Sequence, residues 1–413
     1  MTDSANRRVS FREVLAIREF RALYLAQTLS VVGDQLARIA VAVLIFNRTG
    51  SSTLTAVSYA VSYLPWLIGG PTLSVFADRL PRRTVMIVSD STRALLVLAI
   101  ASITPPTSVL IALVALVALF EPPFASARAA LVPEVVGTHD RYVAASTLGN
   151  MTSQLAVVVG FAAGGGVTAT AGAGGTLLLD AITFAISAAV AAVAIEHRPS
   201  IAAARVSWIR DIREGATVVF GDPTLRWLVT VSWLVVGTTI ATEAMAVPYA
   251  DQHHRGSLTA GLLTASLPAG VTVGALVFGR LMDPGRVEHS LPRLALLTPL
   301  TLSVTAFNPT PELAALTWFI CGMLSAMTVI ANRLFVAAVP PEVRGRAFGI
   351  AAAGISTAQG VGALLVGLLA RDLSAAHAVG AIAIPAFVLI ALATPRNRVA
   401  GIKELGAGVV TRA

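Results

Sequence analysis

Five carboxylic acids interrupt stretches of this chain that are otherwise built from apolar residues: Asp34, Asp90, Glu121, Asp180 and Glu243. Asp34 and Arg38 stand one helical turn apart inside the run from Phe20 to Phe46, a spacing that lets the two side chains meet on one helix face. Asp90 has Arg93 three residues on and reads as a structural pair. Glu121 precedes Pro122-Pro123, a break that bares backbone carbonyls and suits the wall of a cavity. Asp180 falls close to the end of its apolar run and reads as an interface residue. Glu243 has no cation within a turn on its own helix, the nearest being Arg226 and Arg255. Burial favours the protonated form of a carboxylic acid and a nearby cation favours the ionised form. On that argument Glu243 suits a group that loads and releases a proton. Asp34 with Arg38 suits a switch between bridged and released states.

The elements that must hold these groups are membrane helices. Of 413 residues 55% are apolar and 13% charged, with a mean hydropathy of +0.78; soluble domains carry about 25% charge. Apolar segments lie near 20–46, 55–76, 84–104, 108–131, 142–170, 175–195, 225–250, 258–281, 288–306, 311–338, 346–370 and 374–394. In hydrocarbon no lipid-facing backbone group goes unpaired, so each is a helix, and the length of the runs excludes a barrel. An ion inside such a segment costs about 2.5–3.5 kcal/mol on insertion scales and faces protein or a water-filled path. With the N-terminus inside, Arg79, Arg82, Arg83, Arg141, Arg198, Arg205, Arg210, Arg213, Arg286, Arg344, Arg346, Arg396 and Arg398 fall on the cytoplasmic side, and only Arg48, Arg255 and Arg371 on the other. Both termini are then expected in the cytoplasm of a bacterial cell, in its plasma membrane. The first apolar run is longer than a signal-peptide core, so no cleaved leader is expected. The lone cysteine, Cys321, allows no intrachain disulfide.

One long hydrophilic stretch, 196–224, divides an N-terminal bundle of six helices (1–195) from a C-terminal one (225–413). The halves echo one another: Phe20-Arg21 and Leu225-Arg226, Val32-Gly33 and Val236-Gly237, Leu64-Pro65 and Leu267-Pro268. Internal duplication with a site at the repeat interface is the architecture of secondary transporters.

Residues 74–83 read Ser-Val-Phe-Ala-Asp-Arg-Leu-Pro-Arg-Arg. This resembles the loop 2–3 signature of the major facilitator superfamily, Gly-x-Leu-Ala-Asp-Arg-x-Gly-Arg-Arg, at Ala77, Asp78, Arg79, Arg82 and Arg83, with Ser74 and Pro81 in place of glycines. A shortened echo runs from Gly279 to Arg286 and includes Asp283, and Pro340 to Arg346 is similar to the loop before helix eleven of drug exporters. Gly160-Phe161-Ala162-Ala163-Gly164-Gly165 resembles the helix-five motif of family antiporters, with Phe161 where proline is usual. The chain is similar throughout to the twelve-helix, proton-coupled drug and siderophore exporters of that superfamily. The resemblance implies an all-α membrane fold of two six-helix bundles. It implies that Asp78 meets the N-terminal end of helix eleven near Arg346, in a gate with Arg79, Arg82, Arg83, Asp283 and Arg333. It also implies that helices one and seven face a central cavity, so that Arg38 and Glu243 approach one another, and that Gly160, Gly164 and Gly165 pack helices.

Asp34, Arg38, Glu121 and Glu243 are therefore the candidates for proton coupling. Tyr63, Trp66, Phe124, Trp233 and Trp318 are candidates for an apolar-aromatic chamber holding a small-molecule substrate. The intramembrane cations, chiefly Arg38, Arg93 and Arg333, are too few for a phosphate ester. The only lysine is Lys403, so the chain has no phosphate-binding loop of the Gly-Lys-Ser/Thr type and no ATPase motor of its own. His253-His254 lack further ligands for a metal. No enzyme, cofactor, metal or nucleic-acid partner is expected; protons, a small molecule and the bilayer are, for a monomer. The favoured reading is export of a lipophilic or amphipathic compound (a drug, antibiotic or siderophore) against protons by alternating access. Its rivals are import of a polar nutrient and a non-transporting receptor or assembly partner.

Overall fold

The computed structural model describes residues 9–103, 105–198, 208–280 and 284–394; side chains at 64, 67–79, 208–209, 211 and 284–288 lie outside that description. The helices are α1 (Phe11–Leu15), α2 (Arg18–Thr49), α3 (Ser52–Arg79), α4 (Arg82–Ile103), α5 (Thr107–Leu119), α6 (Glu121–Val136), α7 (His139–Ala194), α8 (Trp208–Gly221), α9 (Pro223–Gln252), α10 (Ser257–Arg280), α11 (Pro284–Ser303), α12 (Pro311–Ser325), α13 (Met327–Ala338), α14 (Arg344–Leu369) and α15 (Ala375–Ala393), with a 3₁₀ turn at Val304–Phe307 after α11. Among the described residues there is no strand.

Ten helical stretches among the described residues are long and apolar enough to cross a membrane. One of them is two passes. At ~1.5 Å per residue the 56 residues of α7 would run ~84 Å, against a hydrocarbon core of ~30 Å. The helix breaks at Gly172, whose φ of 74° is open to glycine and costly for other residues. Thr168 Oγ1 and Thr176 Oγ1 then lie 3.0 Å apart, where eight residues of unbroken helix would separate them by ~12 Å. The chain folds back there, as the expected pair 142–170 and 175–195 requires. With α3, which has the length of a pass at 28 residues, the helices supply the twelve crossings read from the sequence.

Two crossings are broken rather than straight. α5 gives way to α6 at Phe120, just before Pro122 and Pro123, which have no N–H to continue the ladder. α12 and α13 meet at Ala326. Side chains pick out several starts. Asp222 accepts from Thr224 N and Leu225 N at 2.7 and 2.8 Å and Pro223 opens α9, while Ser374 accepts from His377 N at the start of α15.

The chain forms two compact units, Met1–Ala40 with Ile68–Ala204, and Val41–Leu67 with Arg205–Ala413. The first has an apolar core around Leu23, Met86, Phe124, Leu131 and Ile195. The second has one around Trp227, Leu228, Leu291, Met327 and Phe335. Large apolar side chains also point outward along the helices: Leu95 is 67% exposed, Leu392 74% and Val193 79%. Water would not tolerate that surface, and lipid does.

The middle hydrophilic stretch is tied down at both ends. In the first unit Arg198 forks onto the Glu19 carboxylate and Glu196 N donates to Glu19 Oε1 at 3.1 Å. In the second, α8 packs on α14, where Gly215 lies close against the Arg346 carbonyl.

Candidate functional site

The first unit buries an ion network at the meeting of α2, α4 and the arm of α7 after Gly172. Helical spacing puts the participants of each helix on one face: Ser30 and Asp34 on α2, Asp90 and Arg93 on α4, and Asp180, Thr183, Phe184 and Ser187 on α7. Arg93 is the hub. Its guanidinium bonds Asp34 Oδ1, donates to Ser30 Oγ at 3.0 Å and reaches Asp90 Oδ1 at 3.4 Å. The plane lies over Phe184, 4.1 Å from the ring centroid, a cation–π contact in a water-poor setting. Ser187 Oγ donates to Asp90 Oδ2. Asp90 and Asp180 are fully buried, Arg93 is 1% exposed, and the Asp34 side chain retains 15%.

Asp180 closes the network from the α7 side. Its Oδ1 is 3.4 Å from Thr183 Oγ1, and its Oδ2 has no hydrogen-bond partner. Gly33, beside Asp34, makes room for it. A methyl group there would sit 2.3 Å from Asp180 Oδ1 and 2.2 Å from Thr183 Oγ1. Any side chain there would have to displace the Asp180 carboxyl and the Thr183 hydroxyl.

Asp34 thus takes its hydrogen bond from Arg93, across helices. Arg38, half-buried on α2, acts on Asp34 electrostatically, as does Glu121, half-buried at the head of α6. Glu121 acts on Arg93 as well. The sequence pairs Asp90 with Arg93 and sets Asp180 at an interface; the fold carries Arg93 on to Asp34 and brings Asp180 beside Gly33. The legible signal was the spacing of Asp180, Thr183 and Ser187, a polar stripe on a helix whose other faces are apolar.

In the second unit Glu243 is half-buried on α9, with Tyr63 Oη 3.5 Å from its Oε2, a long contact. The aromatic candidates have different surroundings. Trp318 is fully buried, donates to Thr305 Oγ1 at 3.0 Å and packs edge-on against Tyr249. Trp233 is half-buried and donates to the Ala351 carbonyl at 3.0 Å. Trp66 is half-buried, Tyr63 is 7% exposed, and Phe124 belongs to the apolar core of the first unit.

Of the gate candidates, Arg82 bonds Glu134 and the Ala130 carbonyl, and Arg83 bonds the Ala192 carbonyl, all within the first unit. Arg346 bonds Glu214 of α8, which also accepts from Arg210 at 2.7 Å. The Arg210 hydrogen bond, with Arg346 behind it, holds the Glu214 carboxyl below the usual glutamate range. Arg333 is exposed. The side chains of Asp78 and Arg79, and Asp283 as a whole, lie outside the described residues. Gly160 and Gly164 press α7 onto α2, where added methyl groups would meet Gln35 and Leu36, and Gly165 is buried beside them.

Paired apolar passes around buried ions define an integral membrane protein of the transporter type. The chain belongs to the Major Facilitator Superfamily, whose model matches residues 23–287 and again 234–408. It is 26% identical over 386 residues to the multidrug efflux pump Tap of Mycolicibacterium fortuitum, covering 89% of this chain and 93% of that protein. It is 25% identical over 358 residues to the enterobactin exporter EntS of Shigella boydii serotype 4, covering 84% of each. Its fold matches a crystal structure of a variant of the nucleoside transporter NupG with a TM-score of 0.71, at 12% identity over 94% of this chain and 99% of that one. It matches a bacterial homolog of the human lysosomal transporter Spinster, inward-facing and unoccupied, with a TM-score of 0.70, at 14% identity over 94% and 96%. These are transporters rather than enzymes, and the two solved structures bear on the fold alone.

Proposed function

We propose that this transporter exports a small lipophilic or amphipathic compound in exchange for protons. The observation that carries the reading is the buried network around Arg93. Asp34, Asp90, Glu121 and Asp180 all act on that guanidinium. An interior with more acids than bases takes up protons, and one acid, Asp34, keeps 15% of its side chain exposed. Efflux pumps and a siderophore exporter among the relatives support the outward direction and the substrate class. In this reading Asp34, Arg38, Glu121 and Glu243 carry the coupling. Asp78, Arg79, Arg82, Arg83, Asp283, Arg333 and Arg346 serve the cytoplasmic gate, with Glu214 as the anchor of Arg346. Tyr63, Trp66 and Trp233 contribute to the substrate chamber, whereas Phe124 and Trp318, expected there from the sequence, are taken up by the packed interiors of their units. Residues 1–195 and 225–413 act as the two alternating-access bundles, with 196–224 as cytoplasmic linker. In this reading both termini are cytoplasmic, which the arginine bias supports, and the membrane is a bacterial plasma membrane.

The test has two stages. Expression in a pump-deficient host across antibiotics, dyes and siderophores identifies a substrate by raised resistance or export. Purified protein in liposomes with an imposed pH gradient is then expected to move that substrate uphill and protons the other way. Transport indifferent to the gradient, or accumulation rather than export in cells, would sink the reading.

A further inference from the structure

We infer that Asp180 is the seat of a bound proton in the first unit, with the Arg93 network as the charge frame beside it. The inference deepens the proton-exchange reading and rests on it for its role in transport.

The argument is one of partners. Every other strongly buried charge of the network has a counter-charge or donor at hydrogen-bond distance. Asp34 has Arg93; Asp90 has Arg93 and Ser187; Arg93 has both acids and Ser30. Asp180 has only the Thr183 hydroxyl at 3.4 Å on Oδ1, and that hydroxyl is already 2.8 Å from the Asp180 carbonyl, its better acceptor. Oδ2 is fully buried with no partner. An ionised carboxylate so placed costs far more than a neutral acid, and the group resolves the cost by keeping its proton.

The charged groups that act on Asp180 point the same way. Asp34 from α2 and Asp90 from α4 bring like charge to it, and Arg93 brings opposite charge. That guanidinium is already engaged by the two other acids. Beyond them Glu121 adds negative charge at Arg93, and Arg38 adds positive charge at Asp34. Four acids against two guanidinium groups leave an excess of negative charge if every acid is ionised. The proton therefore belongs where hydrogen bonding is poorest. Gly33 fixes that place, because its missing side chain is what lets the carboxyl group lie against α2. Loading is the addition of one proton from water to the Asp180 carboxylate, and release is its return. Movement of Arg93 from Asp34 towards Asp180 would expel it.

The test is infrared spectroscopy of the full chain purified in detergent, at neutral pH, reading the carbonyl stretch of protonated carboxyl groups and its shift in heavy water. Wild type is expected to show the band. Asp180→Asn should lose most of it, while Asp90→Asn and Glu243→Gln retain it. Size-exclusion chromatography checks the fold. Should Asp180→Asn fail to fold, Asp180→Glu keeps an acid there and is expected to shift the band. A band identical in wild type and in either Asp180 variant overturns the inference, as does no band in wild type. Replacing choline with sodium is expected to change nothing; a band abolished by sodium would make this a cation site and overturn the proton. Gradient-driven flux in liposomes is measured separately. A wild type with the band but no such flux keeps the bound proton and removes the exchange reading. Flux retained with the band unaltered by Asp180→Asn does the reverse.

Discussion

The two units handle charge in opposite ways. The first places Asp34, Asp90, Arg93 and Asp180 in its interior, on three helices, with hydroxyl groups and an aromatic face completing the setting. The second buries tryptophan and tyrosine instead, with Trp227 donating to Thr394 and Trp318 to Thr305. Among the described residues, its ion pairs of Glu214 with Arg210 and Arg346 and of Arg255 with Glu312 lie at the surface. The two units have thus divided their labour. One is held by ions whose loss would be felt by the fold, and the other by packing that is indifferent to protonation.

The sharpest way to break that comparison is to remove the hub. Arg93→Gln leaves Asp34 and Asp90 without their cation, and a buried pair losing one partner costs about 3–5 kcal/mol. A large fall in the thermal unfolding temperature in detergent is expected, with transport lost. Adding Asp34→Asn and Asp90→Asn should recover stability without transport, and no recovery would show that the network is not held by charge balance.

A smaller effect is expected from Gly33→Ala, whose methyl group overlaps Asp180 and Thr183. Overpacking of this kind costs about 1–3 kcal/mol. The same melting assay checks it, and an unchanged transition would mean that α2 and α7 part easily.

In the second unit Glu243→Gln should barely change melting, yet abolish transport driven by a pH gradient while substrate binding persists. Flux assays in liposomes decide it. Undiminished uphill transport would leave coupling wholly to the first unit.

The least effect belongs to Glu214→Gln. Its carboxyl is held below the usual range by Arg210 and then Arg346, so the ion pair contributes above the ordinary glutamate range and is lost only as pH falls through the lowered value. Exposed pairs of this kind contribute little and are screened by salt. Melting between neutral and mildly acidic pH should coincide for mutant and wild type, and a divergence there would give α8 a larger role.

Much of this was legible in the sequence. Helix number followed from hydropathy because the bilayer admits few alternatives. The site was legible as an inventory but not as a set of pairs. Asp34 and Arg38 share a helix face, and sequence spacing favours such local partners. Arg93 instead reaches Asp34 from 59 residues away, because α4 packs beside α2. Asp180 was the hardest to read. Its position near the end of an apolar run resembles that of any interfacial acid, and only the fold-back at Gly172 brings it beside Gly33. Packing of Trp318 against Tyr249 was likewise invisible, since aromatic residues in membrane helices serve cores and cavities alike.

The turn at Gly172 also has a mechanical meaning. With a single residue between them, the two arms of α7 have no slack. A push on the arm that carries Gly160 and Gly164 would reach the arm that carries Asp180 through that one residue and the Thr168–Thr176 hydrogen bond beside it. An inserted flexible loop at that position would act as a spring in series and absorb the stroke before it reached the buried acid.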